Sequence, residues 1–206
     1  MNEHVRSSRL PPGPGTTQAA DGFARRRWSV AEIAKMIEAG IVSCDEPFEL
    51  IGGEIVAKVQ KGARHEIIRN ELMLFWADRR PPEIKFAIEA PLRIGPYDEP
   101  EPDLILFPAW LGVNDVRGEN VLLVVEISES RLSYDLKIKA PRYAGFGVCE
   151  YWVIDASTLR TTVHRQPSST GYAAVTEQPV DELLVPSLCP ALAVRLADLD
   201  LGSLTA

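Results

Sequence analysis

Cysteine is scarce in this chain: three in 206 residues, Cys44, Cys149 and Cys189, each standing alone. No CxxC pair occurs, which argues against both a structural zinc site and a disulfide framework and fits a reducing compartment. No apolar run reaches transmembrane length, and no charged-then-apolar leader opens the chain, so a soluble, cytoplasmic protein is expected. Positive charge is also short: 22 Lys and Arg face 29 Asp and Glu, a formal net charge of −7. Retention on nucleic acid by bulk charge is therefore disfavoured, although a local basic groove is not. No internal repeat is visible, so solenoid and propeller arrays drop out.

What remains is a chain 46% apolar and long enough to bury one full core. Residues 1–22 are polar and rich in Pro, Gly, Ser and Thr around Pro11–Pro14, and read as a disordered tail before a single domain at 23–206. Arg25–Arg27 reads as a solvated flank, with phosphate contact as the alternative. Ser29-Val-Ala-Glu32 has the capping-box pattern and starts a short helix to about Glu38. Phe48–Ile51 and Glu54–Val59 flank Gly52-Gly53, the signature of a tight β-hairpin. Ile67, Ile68, Leu72, Phe75 and Trp76 recur at helical spacing within a long helix at 64–79, which Pro81-Pro82 stops.

A strand is expected from Ile84 to Ile94. A turn-rich acidic loop, 95–102, then brings the chain back antiparallel through Leu104–Phe107. Val121–Val125 is a short, β-branched apolar run, the pattern of a strand buried on both faces. It ends at Glu126, with Ser128 on the same face. A helix carrying Asp135, Lys137 and Lys139 follows, and Tyr151–Asp155 closes a βαβ-like unit. A hairpin of Thr161–His164 and Tyr172–Thr176 with a 166–171 loop comes next, and an apolar, proline-broken stretch at 183–204 is expected to lie across the sheet edge. The fold class is α/β, with a mixed central sheet, flanking helices and an amino-terminal helix and β-hairpin.

Asp103 and Glu126 occupy matched places on neighbouring strands. Two converging carboxylates suit Mg²⁺ or Mn²⁺, hard ions that prefer oxygen ligands, and a lysine beside them could stabilise charge developing at phosphorus. Spacing alone is weak here, because buried strands often end in acids and most helices carry lysines.

The runs PDLILF, VVEIS and YDLKIKAPRYAGFGVCEYWVIDA, with FELIGGEIV upstream, resemble the Uma-two family of restriction-endonuclease-like proteins, within the PD-(D/E)XK nuclease superfamily, over roughly residues 28–195. The resemblance implies a restriction-endonuclease-like fold and a Mg²⁺- or Mn²⁺-dependent endonuclease acting on nucleic acid, DNA before RNA, from a homodimer. It matches Asp103 and Glu126 to the motif acids and metal ligands. The superfamily's usual lysine would fall at Ser128, and the family's displaced lysine matches Lys139. His65, at the helix entrance where the family commonly has a histidine, is a candidate base or phosphate contact, or simply a helix-end group. Glu89 is a candidate metal approach. Asp135 reads as a cap or an orienter of Lys139, and the i,i+4 pair also fits a surface ion pair worth only about 0.3–0.5 kcal/mol. Lys58, Lys61, Arg64 and Arg69 are the candidate nucleic-acid contacts, or a solvated helix start. A catalytically inactive nucleic-acid-binding or assembly module with the same fold is the alternative function.

Overall fold

The apolar run Val121–Val125 leads into Leu123–Ser128 (β5), in which all six residues are buried. A strand can be apolar throughout only when both faces of its sheet are covered. In the computed structural model, which describes residues 25–43 and 45–202, both faces are covered. The tail expected at 1–22 and Cys44 lie outside the described residues. Leu123, Val125 and Ile127 point to one core cluster, and Val124, on the opposite face, joins a second.

Six strands form the main sheet: Ile84–Ile88 (β3), Leu104–Pro108 (β4), β5, Glu150–Asp155 (β6), Thr161–Ser168 (β7) and Gly171–Gln178 (β8), in that spatial order. Every neighbouring pair is antiparallel except β5–β6, which is parallel. A parallel pair needs a crossover. Here it is Leu132–Tyr134 (α3), a π-helical segment at Asp135–Lys139, and Ala140–Gly145 (α4). The mixed α/β architecture agrees with the sequence reading.

Ala63–Arg79 (α2) covers one face through Ile68, Leu72 and Trp76, a stripe at helical spacing. The carboxy-terminal stretch shares that layer: Leu184, Leu192, Leu196 and Leu201 pack into the same cluster, and Trp76 Nε1 donates to Leu192 O at 2.9 Å. The segment covers the sheet's face, which corrects the expectation that it lies across an edge. Its prolines break any regular period, yet its leucines still remove apolar surface from water, each contributing about 1.5–3 kcal/mol.

Ahead of this body, Val30–Glu38 (α1) starts with both halves of the capping box: Glu32 N–H donates to Ser29 Oγ, and Ser29 N–H donates to Glu32 Oε2. Phe48–Ile51 (β1) and Glu54–Ala57 (β2) form a separate two-stranded hairpin, with Gly52 and Gly53 at φ of +63° and +84°, a turn no β-branched residue tolerates. Arg25–Arg27, expected as a solvated flank, is tied to the protein: Arg25 pairs with Glu54, Arg26 with Glu32, and Arg27 Nε donates to Gly52 O.

Several elements differ from expectation, and β2 ends at Ala57 instead of Val59. β3 ends at Ile88 because Glu89 takes a left-handed φ of +49°, which breaks the ladder. β7 and β8 run longer and turn within Ser169-Thr170, so the loop is tighter than 166–171. The crossover helix is also irregular. Ala140 N–H bonds to Asp135 O, an i→i+5 contact that inserts a π-turn.

Candidate active site

Antiparallel register places Leu104 opposite Val125, so the next residues along, Asp103 and Glu126, stand side by side at the same end of the sheet. Asp103 is fixed by its own strand pair, because its Oδ2 accepts Ile127 N–H at 2.7 Å. Its Oδ1 lies 2.7 Å from Lys61 Nζ and 2.9 Å from His65 Nε2. His65 heads the buried stripe of α2, one turn before Ile68, and is itself buried. Burial alone would raise the Asp103 pKa; the hydrogen bond from His65 and the charges of His65 and Lys61 outweigh it and hold the group at about 2.

Glu126 has the opposite electrostatic environment. Its Oε1 receives Lys139 Nζ at 2.9 Å and Tyr143 OH at 3.2 Å. Burial pushes its pKa well above the ordinary carboxylate value; Lys139 opposes that shift, and the neighbouring acids Asp103, Asp135 and Glu49 add to it. Lys139 also reaches Glu49 Oε1 at 2.9 Å, so one ammonium bridges two buried carboxylates. Desolvation would lower the lysine pKa, but Glu126, Glu49 and Asp135 raise it well past the ordinary value. Lys139 is therefore a fixed positive charge, unsuited to act as a base.

Sequence reasoning did not single out Glu49. It enters from β1, where the burial of Glu49, Leu50 and Ile51 departs from a clean alternation. Its Oε1 also accepts Glu101 N–H at 2.7 Å, which ties the hairpin to the loop leading into Asp103. The residue preceding the glycine turn by three was the only available signal. Tyr143 was also missed, in the middle of a segment that reads simply as helix.

Asp135 does not hold the Lys139 ammonium, as the i,i+4 spacing suggested; Glu49 and Glu126 do. Asp135 is buried beside them, and burial raises its pKa against the pull of Lys139. Ser128 is buried too, with its hydroxyl beside the Asp135 carboxylate, whose pKa that contact draws down against burial. Glu89 faces the site and pairs with Lys61 and Arg69. Burial would raise its pKa, but Lys61 and Arg69 bring it below the ordinary value. Of the four candidate nucleic-acid contacts, Lys58, Lys61 and Arg69 line the cavity and are held by acids: Lys58 by Glu101, Lys61 by Asp103 and Glu89, Arg69 by Glu66 and Glu89. Arg64 turns away, its Nε donating to Ala156 O at 3.1 Å.

Asp103, Glu126, Lys139, Glu49 and His65 line one cavity of about 680 Å³. Among the described residues, no three His, Cys, Asp or Glu side chains converge as a preformed metal cluster. The oxygens of Asp103 and Glu126 bond instead to the lysines, the histidine and the tyrosine described above.

An acid just before one strand and an acid beside it within the neighbouring strand, with a lysine delivered from the crossover between parallel strands, place the protein in the restriction-endonuclease-like α/β class. More narrowly, the chain belongs to the Uma2 family, described as "Putative restriction endonuclease", whose model matches residues 37–200. Solved structures match as well. One is described as a "putative nuclease belonging to DUF820" from Anabaena variabilis ATCC 29413, 18% identical, covering 86% of this chain and 99% of its own, with a TM-score of 0.66. At that identity the likeness concerns the fold. No curated protein matches the chain. Family membership supports nuclease activity in general and a nucleic-acid substrate.

Proposed function

We propose that the protein is a metal-dependent endonuclease that hydrolyses phosphodiester bonds, with DNA the first substrate to test. The observation that carries this reading is the placement of Asp103 beside Glu126, with Lys139 anchored on the second acid. The donor set fits a hydrated Mg²⁺ or Mn²⁺: hard carboxylate oxygens side by side just past the end of the β4–β5 ladder, and a buried Glu126 whose ionisation a cation would favour. Asp103 and Glu126 would hold the ion, with Glu49 alongside. Such an ion supplies a water of lowered pKa and neutralises charge on the phosphoryl oxygens.

The chain's own groups do the rest. His65 and Ile127 N–H fix the Asp103 carboxylate from two sides, so the ionised acid is in place before substrate arrives. Tyr143 orients Glu126 from behind. Lys139 offers a positive charge on a buried, braced ammonium, which costs little reorganisation when phosphorane charge develops. Lys61, bonded to Asp103 from the cavity wall, is the second cation within reach of a phosphate.

Cleavage of labelled oligonucleotides by the purified chain, with Mg²⁺ or Mn²⁺ and with a chelator, tests the proposal. Metal-dependent internal cuts are expected. Binding without any cut, at every metal tried, would instead favour the inactive nucleic-acid-binding module.

A further inference from the structure

Resting on that nuclease reading, the cavity's shape narrows the form of nucleic acid it takes. We infer that the site admits one unpaired strand, with a base stacked on Tyr134, and excludes continuous duplex.

The first reason is depth. Asp103 and Glu126 are only 3% and 5% exposed, on the inner wall of a cavity of about 680 Å³. That volume lies in the range of pockets for single small ligands, roughly 300–1,000 Å³. Two segments form its lips, one at 58–62 after β2 and one at 129–131 after β5. The lips touch. Arg131 Nη2 donates across the gap to Ala57 O at 2.9 Å, and Gly62 lies so near the Glu129 carboxylate that a Cβ there would overlap it. Duplex DNA is stiff over about 150 base pairs and keeps its phosphates on the outside of a rod, so it cannot follow recessed acids between such lips. A single strand can bend inward.

The second reason is charge. Eight carboxylates line the cavity against five lysines and arginines, and Lys58, Lys61 and Arg69 are each already paired with an acid of the wall. Duplex carries one negative charge per about 1.7 Å of axis and needs a run of free cations. These walls offer none long enough to track two backbones.

The third is the aromatic. Tyr134 is half-buried, lines the cavity, and has the Arg131 guanidinium over one face of its ring, 5.8 Å from the centroid, so a base would stack on the other face. An aromatic face beside an arginine, at the mouth of a nucleotide-sized cavity, is the arrangement that holds unpaired bases by stacking.

The test is fluorescence anisotropy of the full chain in Ca²⁺ with a labelled 12-nucleotide single strand and a hairpin duplex of the same sequence, a gel confirming that both stay intact. The single strand should bind at least about tenfold more tightly than the duplex. Tyr134→Ala should weaken strand binding about tenfold, the scale of one lost base stack, while Tyr134→Phe keeps it and duplex binding does not move. Equal affinities for strand and duplex overturn the inference, as does an unchanged strand affinity in a folded Tyr134→Ala protein. If Tyr134→Ala does not fold, Tyr134→Leu, which keeps bulk but removes the π face, replaces it. A cleavage arm in Mn²⁺ separates the two claims. Duplex cut faster than strand sinks the inference and keeps the nuclease; strand bound preferentially but never cut does the reverse.

Discussion

The Lys139 ammonium lies 2.9 Å from both Glu49 and Glu126, and all three side chains are buried. Removing one partner of a buried ion pair strands the other charge, at a cost of about 3–5 kcal/mol. Lys139→Ala should therefore lower stability on that scale in urea melts, as well as reduce turnover by a factor of order 10². Lys137, exposed on the same segment, should be silent on both counts when changed to Ala. Asp103 adds a pH dependence whose sign follows from its lowered pKa. Its folded value is about 2 against an ordinary 3.8, so its contribution is fully present above about pH 4 and lost as pH falls through 2. The size is about 2 kcal/mol at neutral pH. The stability gap between wild type and Asp103→Asn, measured by denaturant melts from pH 5 downward, should shrink across that window; a gap that widens would contradict the assignment.

At the scale of elements, the site depends on a hairpin and a π-turn. Gly52 sits at φ +63°, with the Arg142 guanidinium where a Cβ would go, and Asp98 ties the two together by accepting from Gly52 N–H at 2.6 Å and from Arg142 Nη1 at 2.9 Å. Gly52→Ala should cost about 1–3 kcal/mol for the strained backbone and should also displace Glu49, so activity should fall further than the stability loss alone accounts for. Thermal melts and cleavage rates on the same sample check both parts. The hairpin itself was legible, since Gly-Gly between two apolar runs has few other readings. The inward turn of Glu49 was not, because a four-residue strand at the margin of the fold gives too short a pattern to tell its buried face. Asp103 and Glu126 were legible for a physical reason: a carboxylate that borders a doubly buried apolar run is already near the core. The π-turn left no sequence mark. An i→i+5 bond differs from an i→i+4 bond only in backbone pairing, and Asp135 and Lys139 stay on one face in either case.

At the scale of the molecule, the two faces of the sheet were visible in outline, but the irregular carboxy-terminal layer was not, because its leucines follow no period. Its packing can be checked through Trp76, fully buried against it and bonded to Leu192 O: Trp76→Ala should cost about 3–5 kcal/mol. A rigid body of this kind holds Asp103 and Glu126 at one strand end, and the account depends on that pair. The most direct test is single-turnover cleavage of a labelled single-stranded oligonucleotide in Mn²⁺ by wild type and Glu126→Gln, with circular dichroism confirming that both are folded. Glu126→Gln keeps an acceptor for Lys139 and Tyr143 but removes the ionisable carboxylate. The account predicts cutting by wild type and a rate lower by a factor of order 10² or more in the variant. A folded Glu126→Gln protein that cuts as fast as wild type would contradict it.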